Sequence, residues 1–247
     1  MSHHNFRVAI LQNFLIQETG GMPMIERISE LVLQSKPDAE IHVYAPIQGD
    51  ALPDLDTQDL VILTGGPFNL LQHDKPSWVT ETLDYIKLAT TERSKPKVLG
   101  ICWGQQAIAL ALGGSLRKSE RGHCIGVENI ALDSDGARFF NTEALNIHKN
   151  HEIIVTNIGP HLSCLAPNNE ILISKDNRVL TFQGHPEMDA RLAKLFVATD
   201  DPSSSLRPGR EAGLKPTDSP HDSELIFTAI MRASGLAMGS KKLILAR

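Results

Sequence analysis

Cysteine, clustered positive charge and long apolar runs are all scarce in this chain of 247 residues, and each scarcity excludes a class of protein. The three cysteines, Cys102, Cys124 and Cys164, are widely spaced, so they make no disulfide framework and no Cys-x-x-Cys metal pattern. The formal net charge is −5 and no dense Lys/Arg run occurs, which argues against a nucleic-acid surface. No apolar stretch approaches the ~18 residues needed to span a membrane. The first residues, Met1 to Arg7, lack the apolar region of a signal peptide. No Gly-x4-Gly-Lys-Ser/Thr loop is present to cradle nucleotide phosphates. The expectation is a cytoplasmic protein in a reducing compartment that needs no cofactor or metal and binds neither nucleic acid nor membrane.

What is present is ordinary for a globular chain: 41% hydrophobic and 21% charged residues. Arg7 to Leu11 and Asp59 to Leu63 are near-continuous apolar runs, as expected of strands covered on both faces. Between them, Pro23 suits the start of a helix that presents Ile25, Ile28, Leu31 and Val32 on one face. Glu40 to Ala45 reads as a strand and Pro76 to Leu88 as a helix. This alternation predicts an α/β fold with a doubly wound, mainly parallel central sheet and flanking helices. From Gly114 the pattern changes to short strands: Ser115-Leu116, His123 to Leu132, Ala144 to Asn146, Ile153 to Thr156, Glu170 to Ser174 and Val179 to Phe182. They add a small antiparallel sheet insertion. Asp189 to Val197 and Asp222 to Ala233 read as helices around a surface loop, Thr199 to Pro220. The expected organisation is one domain over residues 6–235 with a tail at 236–247.

Lys97 to Gln106 carries the first chemical signal. An apolar strand runs into Gly100-Ile101-Cys102-Trp103-Gly104 and then a helical pattern, the architecture of a nucleophile elbow. Cys102 would stand at a helix N-terminus, where free backbone N–H groups and the helix dipole favour a thiolate. The alternative is a buried packing cysteine. A thiolate nucleophile needs a base and something to hold that base. Gln183-Gly184-His185-Pro186-Glu187 offers both, with His185 and Glu187 two apart on one side of an extended segment. Gly65-Gly66-Pro67 follows a buried strand, and its N–H groups, with that of Trp103, would stabilise an oxyanion. Taken alone, each motif is also an ordinary turn. Ligands in such sheets bind at the carboxyl ends of strands, where the Thr64–Pro67 loop and the Cys102 turn both fall.

Gly100-x-Cys102-x-Gly104-x-Gln106, Gly184-His185-Pro186-Glu187 and the Thr-Gly-Gly-Pro loop, in that chain order of Gly-Gly-Pro, Cys, His and Glu, resemble the class I glutamine amidotransferase domain over roughly residues 6 to 198. The resemblance is to stand-alone members, similar to the glutaminase of GMP synthase or to γ-glutamyl peptidases, and implies a flavodoxin-like fold. It implies a Cys102–His185–Glu187 triad in which Cys102 attacks the γ-glutamyl carbonyl of glutamine, forms a thioester and releases ammonia. Gly66 and Trp103 would form the oxyanion hole, and Gly65 and Gln106 would hold the small-molecule substrate. Stand-alone members either supply ammonia to a separate synthase partner or hydrolyse γ-glutamyl peptides such as glutathione and its conjugates. A catalytically silent binding module would most often have lost Cys102, His185 or Glu187, and all three are present.

Two further segments look similar to family features. Gly113 to Glu120 resembles a Gly-Gly turn and polar strand whose residues would line the pocket. His148-Lys149-Asn150-His151 resembles a His-x-Asp segment, with Asn150 where an aspartate is common. Its His-x-x-His pair has no flanking ligands to complete a metal site, so solvated or pocket-rim histidines are expected. Cys124 and Cys164 have no partner base in their sequence context and are read as structural.

Overall fold

Continuous apolar strands make the centre of the fold, seen here in a computed structural model that describes residues 5–18, 20–90, 96–199 and 214–233. The first part of the chain folds as β1 (Arg7–Leu11), α1 (Gly21–Ser35), β2 (Glu40–Tyr44), β3 (Leu60–Leu63), α2 (Ser77–Ala89), β4 (Lys97–Ile101) and α3 (Trp103–Ala111). The second part runs β5 (Ser115–Lys118), β6 (Cys124–Ala131), α4 (Ser134–Phe140), β7 (Ala144–His151) and β8 (Ile153–Asn157). It ends with β9 (Leu162–Cys164), β10 (Ile171–Ser174), β11 (Val179–Phe182), α5 (Ala190–Thr199) and α6 (Ser223–Ala233).

The main sheet has seven strands in the order β2-β1-β3-β4-β11-β10-β9. The first five run parallel to one another, and β10 pairs antiparallel with both β11 and the edge strand β9. Every residue of β3, β10 and β11 is buried, as strands covered by helices on both faces require. Side-chain alternation divides β1 between two cores. Val8 and Ile10 pack with Ile28 and Leu31 of α1 and with Phe227 and Ile230 of α6. Ala9 and Leu11 join Val79 and Ile86 of α2 and Ile108 of α3 on the other face.

Two antiparallel hairpin-like pairs, β5–β8 and β6–β7, stand apart from the main sheet. The first rests on α3, and the second is joined by Lys215, whose backbone exchanges hydrogen bonds of 2.8 and 2.9 Å with Val127. The expected doubly wound sheet with a small antiparallel insertion is therefore present, although the insertion is two separate pairs and one main-sheet strand, β10, runs antiparallel to its neighbours.

Several boundaries differ from the sequence reading, each for a physical reason. Helix α1 begins two residues before Pro23, which is tolerated because the first-turn N–H groups have no helical acceptor. Helix α4 was concealed by Asp133-Ser134-Asp135-Gly136, a composition typical of turns. Here the Asp133 carboxylate caps the helix by accepting from the Gly136 N–H at 2.7 Å. Strand β7 continues to His151 although its last four residues are polar, because the full length of β6 pairs with it. The three residues of β9 are too few to show a period. Residues 200–213 of the expected loop and the expected tail at 236–247 lie outside the described residues.

Candidate active site

Four chain segments leave the sheet at the carboxyl ends of neighbouring parallel strands and meet there: Gln12-Asn13, Thr64 to Pro67, Cys102, and Gln183 to Glu187. The turn after β4 is tight. A Cβ on Gly100 would lie 2.6 Å from Ile108 Cδ1, and one on Gly104 would lie 2.4 Å from the Leu63 carbonyl oxygen. Cys102 between them has φ 50° and ψ −101°, a conformation that costs a non-glycine residue about 1–3 kcal/mol. Its N–H donates to the Phe182 carbonyl at 2.7 Å, and its own carbonyl accepts from the Gln106 N–H at 3.1 Å. Strain held from both sides in this way is a feature of functional sites.

The His185 segment is fixed by backbone pairing on both flanks. The Gln183 N–H donates to the Glu170 carbonyl at 2.8 Å and the His185 N–H to the His148 carbonyl at 2.7 Å. His185 Nδ1 and Glu187 Oε1 are 2.8 Å apart, and Glu187 is fully buried. The other ring nitrogen, Nε2, is buried and makes no hydrogen bond of ordinary geometry. Burial alone would lower the His185 pKa. The Glu187 carboxylate and then the neighbouring Cys102 sulfur outweigh it and hold the ring well above the usual histidine range.

Glycines shape the third side. A Cβ on Gly65 would lie 3.0 Å from His185 Cε1 and 3.8 Å from Cys102 Cβ, so any side chain there would press on the imidazole. A Cβ on Gly66 would lie 2.4 Å from the Asn13 carbonyl oxygen. Asn13 is itself tied to this loop through the Thr64 hydroxyl and carbonyl, both at 3.1 Å. Trp103 steadies the loop from α3: its indole N–H donates to the Phe68 carbonyl at 3.0 Å, and its ring stacks on Trp78 at 5.5 Å.

These residues open onto a cavity of about 360 Å³. Cys102, His185, Gly65, Gly66 and Gln106 line it, as do Asn150 and His151. Gln106 donates its side-chain amide to the Ile153 carbonyl at 2.9 Å, so it also braces β8. Cys102 Sγ lies 3.8 Å from the Asn150 carbonyl oxygen, and Asn150 Oδ1 lies 2.7 Å from His123 Nε2.

The family to which this arrangement points is decided by comparison. The profile described as "Glutamine amidotransferase class-I" matches residues 29–200. The chain belongs to the class I glutamine amidotransferase family. It is 62% identical over 232 residues to the glutamine amidotransferase-like protein chry6 of Gibberella zeae, covering 94% of this chain and 96% of that one. It is 32% identical to the glutamine amidotransferase-like protein chyE of Penicillium rubens over 84% of this chain and 88% of the relative. Gamma-glutamyl peptidase 5 of Arabidopsis thaliana is 27% identical over 60% of each chain. Among solved structures, a glutamine amidotransferase from Methylobacillus flagellatus shares the fold at a TM-score of 0.73 and 18% identity, covering 94% of this chain and 96% of that one.

Within this family site, some sequence expectations need correction. None of residues 113–120 lines the cavity, because β5 is spent on pairing with β8. His148 and His151 are not solvated, being 1% and 6% exposed, but His151 lines the cavity as a pocket-rim histidine would, and His148 does not. Burial, with His221 and His185 nearby, lowers the His148 pKa to about 4. Burial, with Lys149 and His185 nearby, holds His151 well below the usual range. Among the described residues no group of three or more His, Cys, Asp or Glu could hold a metal ion, and no helix is long and apolar enough to cross a membrane. Sequence reasoning missed the apolar part of the cavity, formed by Phe14, Met24, Phe68 and Phe196. Phe14 was accessible in principle, since it follows the carboxyl end of β1 by three residues.

Proposed function

We propose that this chain is a glutamine amidotransferase-like hydrolase with a Cys102–His185–Glu187 triad. The Cys102 sulfur attacks the γ-glutamyl carbonyl of glutamine, and the carbonyl oxygen takes the negative charge. The tetrahedral intermediate collapses as His185 gives its proton to the leaving nitrogen, releasing ammonia and leaving a γ-glutamyl thioester on Cys102. Water then attacks the thioester, His185 takes its proton, and glutamate leaves. Glu187 holds the imidazole in position and balances its charge. The Gly66 and Trp103 N–H groups act as the oxyanion hole; Trp103 is the first residue of α3, where an N–H has no helical acceptor. Gly65 and Gln106 border the glutamyl group.

The observation that carries this reading is His185, with a carboxylate on Nδ1, a buried Nε2 and the Cys102 sulfur near enough to help raise its pKa. A second reading, γ-glutamyl peptidase, uses the same thioester with an amine other than ammonia leaving. It is supported by the γ-glutamyl peptidase relatives from Arabidopsis thaliana at 26–30% identity.

The test offers glutamine, glutathione and other γ-glutamyl compounds to the protein and to its Cys102→Ala variant while ammonia and glutamate are measured. The expected result is glutamate release that the variant loses by a factor of about 10³ or more. Glutamine turnover that appears only with an added synthase would identify an ammonia-supplying subunit. Glutamate from peptides without ammonia from glutamine would favour the peptidase. Wild-type protein that turns over no γ-glutamyl substrate would overturn both.

A further inference from the structure

The cavity is larger and more apolar than a site for glutamine alone requires. Its volume, about 360 Å³, falls within the roughly 300–1,000 Å³ of pockets that take drug-sized ligands. Ammonia as a leaving group needs almost none of that space. The apolar lining comes from the β1–α1 loop, α1, the β3–α2 loop and α5, through Phe14, Met24, Phe68 and Phe196. The polar lining beyond the triad comes from Glu18, Asn69, Gln106, His123 and the segment Asn150 to Glu152. The cavity thus has one set of residues suited to the amino-acid end of a γ-glutamyl group and another suited to an apolar body.

Its charges are equally one-sided. Glu18 and Glu152 line the cavity, and among the described residues no Lys or Arg does. Lys118 reaches Glu152 at 3.2 Å, but it is not part of the lining. The imidazole of His185 is already matched by Glu187 and Cys102. A carboxylate on the leaving amine would therefore meet the Glu18 carboxylate and the Lys118-paired Glu152 and, among the described residues, no lining cation.

We propose that the substrate is a γ-glutamyl amide of a neutral or cationic apolar amine, aromatic amines above all, and that carboxylate-bearing leaving groups such as the cysteinylglycine of glutathione are disfavoured. This rests on the reading that Cys102 attacks a γ-glutamyl carbonyl, and it narrows that reading to a leaving-group class. Water supplies the hydroxyl that ends on glutamate and the proton that ends on the released amine, so the step balances without any co-reactant.

The decisive pair is γ-glutamyl-phenylalaninamide and γ-glutamyl-phenylalanine, which differ only in the carboxylate. The amide should show kcat/KM about two- to fivefold higher, the order expected of like-charge contacts at exposed carboxylates. γ-Glutamyl-glycinamide should be slower than γ-glutamyl-phenylalaninamide, and Phe196→Ala should narrow that gap. Glu18→Gln combined with Glu152→Gln should narrow the amide-to-acid ratio. Titration of the Cys102→Ala protein with the same compounds reads the preference as binding, independently of turnover. Equal cleavage of acid and amide, with glutamine or either amide still turned over, would overturn this inference and leave the hydrolase reading intact. No turnover of any γ-glutamyl compound would overturn the hydrolase reading, and equal binding of the pair would then overturn the leaving-group preference as well.

Discussion

Buried histidines draw the stability of this protein in opposite directions around neutral pH. His185 has a folded pKa well above 6.5, so its contribution is fully present below about pH 6.5 and is lost as the pH rises through the folded value. His148 behaves conversely: its folded pKa is about 4, so below pH 6.5 the unfolded chain takes a proton that the folded chain refuses. Stability therefore falls from about pH 6.5 to about pH 4, by at most about 3 kcal/mol from this group. His151, also held neutral by burial, steepens the same limb. Urea unfolding across pH 4 to 9 should show a maximum near pH 6.5 with losses on both sides, and His148→Leu should flatten the acid limb. An unchanged acid limb in that variant would mean that His148 is not kept neutral. Motifs at this level were readable because each has a chemical signature: a cysteine between glycines, a His and a Glu separated by a proline. Glu187's burial and the orphaned Nε2 of His185 were not readable, since both depend on what the rest of the fold packs over them.

Among the elements, the junction of β3, β4 and α3 is the least forgiving. Gly104 lets the first turn of α3 rest directly on the Leu63 carbonyl, and a Cβ there would sit 2.4 Å from that oxygen. Gly104→Ala should destabilise the protein by about 1–3 kcal/mol, as overpacking does, and should reduce glutamate release by moving Cys102 relative to His185. Denaturant midpoints and turnover, measured together, check this; a variant with wild-type midpoint and rate would contradict it. The strands of the parallel sheet were legible because buried strands are continuous in apolar residues: Leu60-Val61-Ile62-Leu63 leaves little choice. Strand β7 was legible only in its first half. His148-Lys149-Asn150-His151 is polar throughout, and only the pairing with β6 and the burial of its side chains make it a strand. Helix α4 was hidden because one composition, Asp-Ser-Asp-Gly, serves both as a turn and as a helix cap.

Across the whole molecule, the β6–β7 pair is fastened to the main sheet by a buried charge. Lys149, with a side chain 1% exposed, pairs with Glu128 of β6 at 3.1 Å and with Glu170, just before β10. Burial raises the Glu170 pKa, and Lys149 opposes that rise without reversing it. Removing the cation leaves two carboxylates facing each other, so Lys149→Met should destabilise the protein by about 3 kcal/mol in urea. A loss below about 1 kcal/mol would mean that the pair contributes little. Lys149 also lies between His148, whose carbonyl holds the His185 N–H, and Asn150, whose carbonyl faces Cys102. The chain order of three of the four site segments could be read in advance, Gln12-Asn13 being the exception, and their convergence follows from parallel strands pointing the same way. The cavity could not, because Phe14, Phe68 and Phe196 come from elements far apart in sequence. The central claim, covalent catalysis at Cys102, is tested most directly by acid-quenching the protein during turnover of a γ-glutamyl substrate and mapping the adduct by peptide mass spectrometry. The account predicts a γ-glutamyl group on the peptide that contains Cys102 and on no other; turnover that persists in Cys102→Ala, or an adduct elsewhere in the chain, would contradict it.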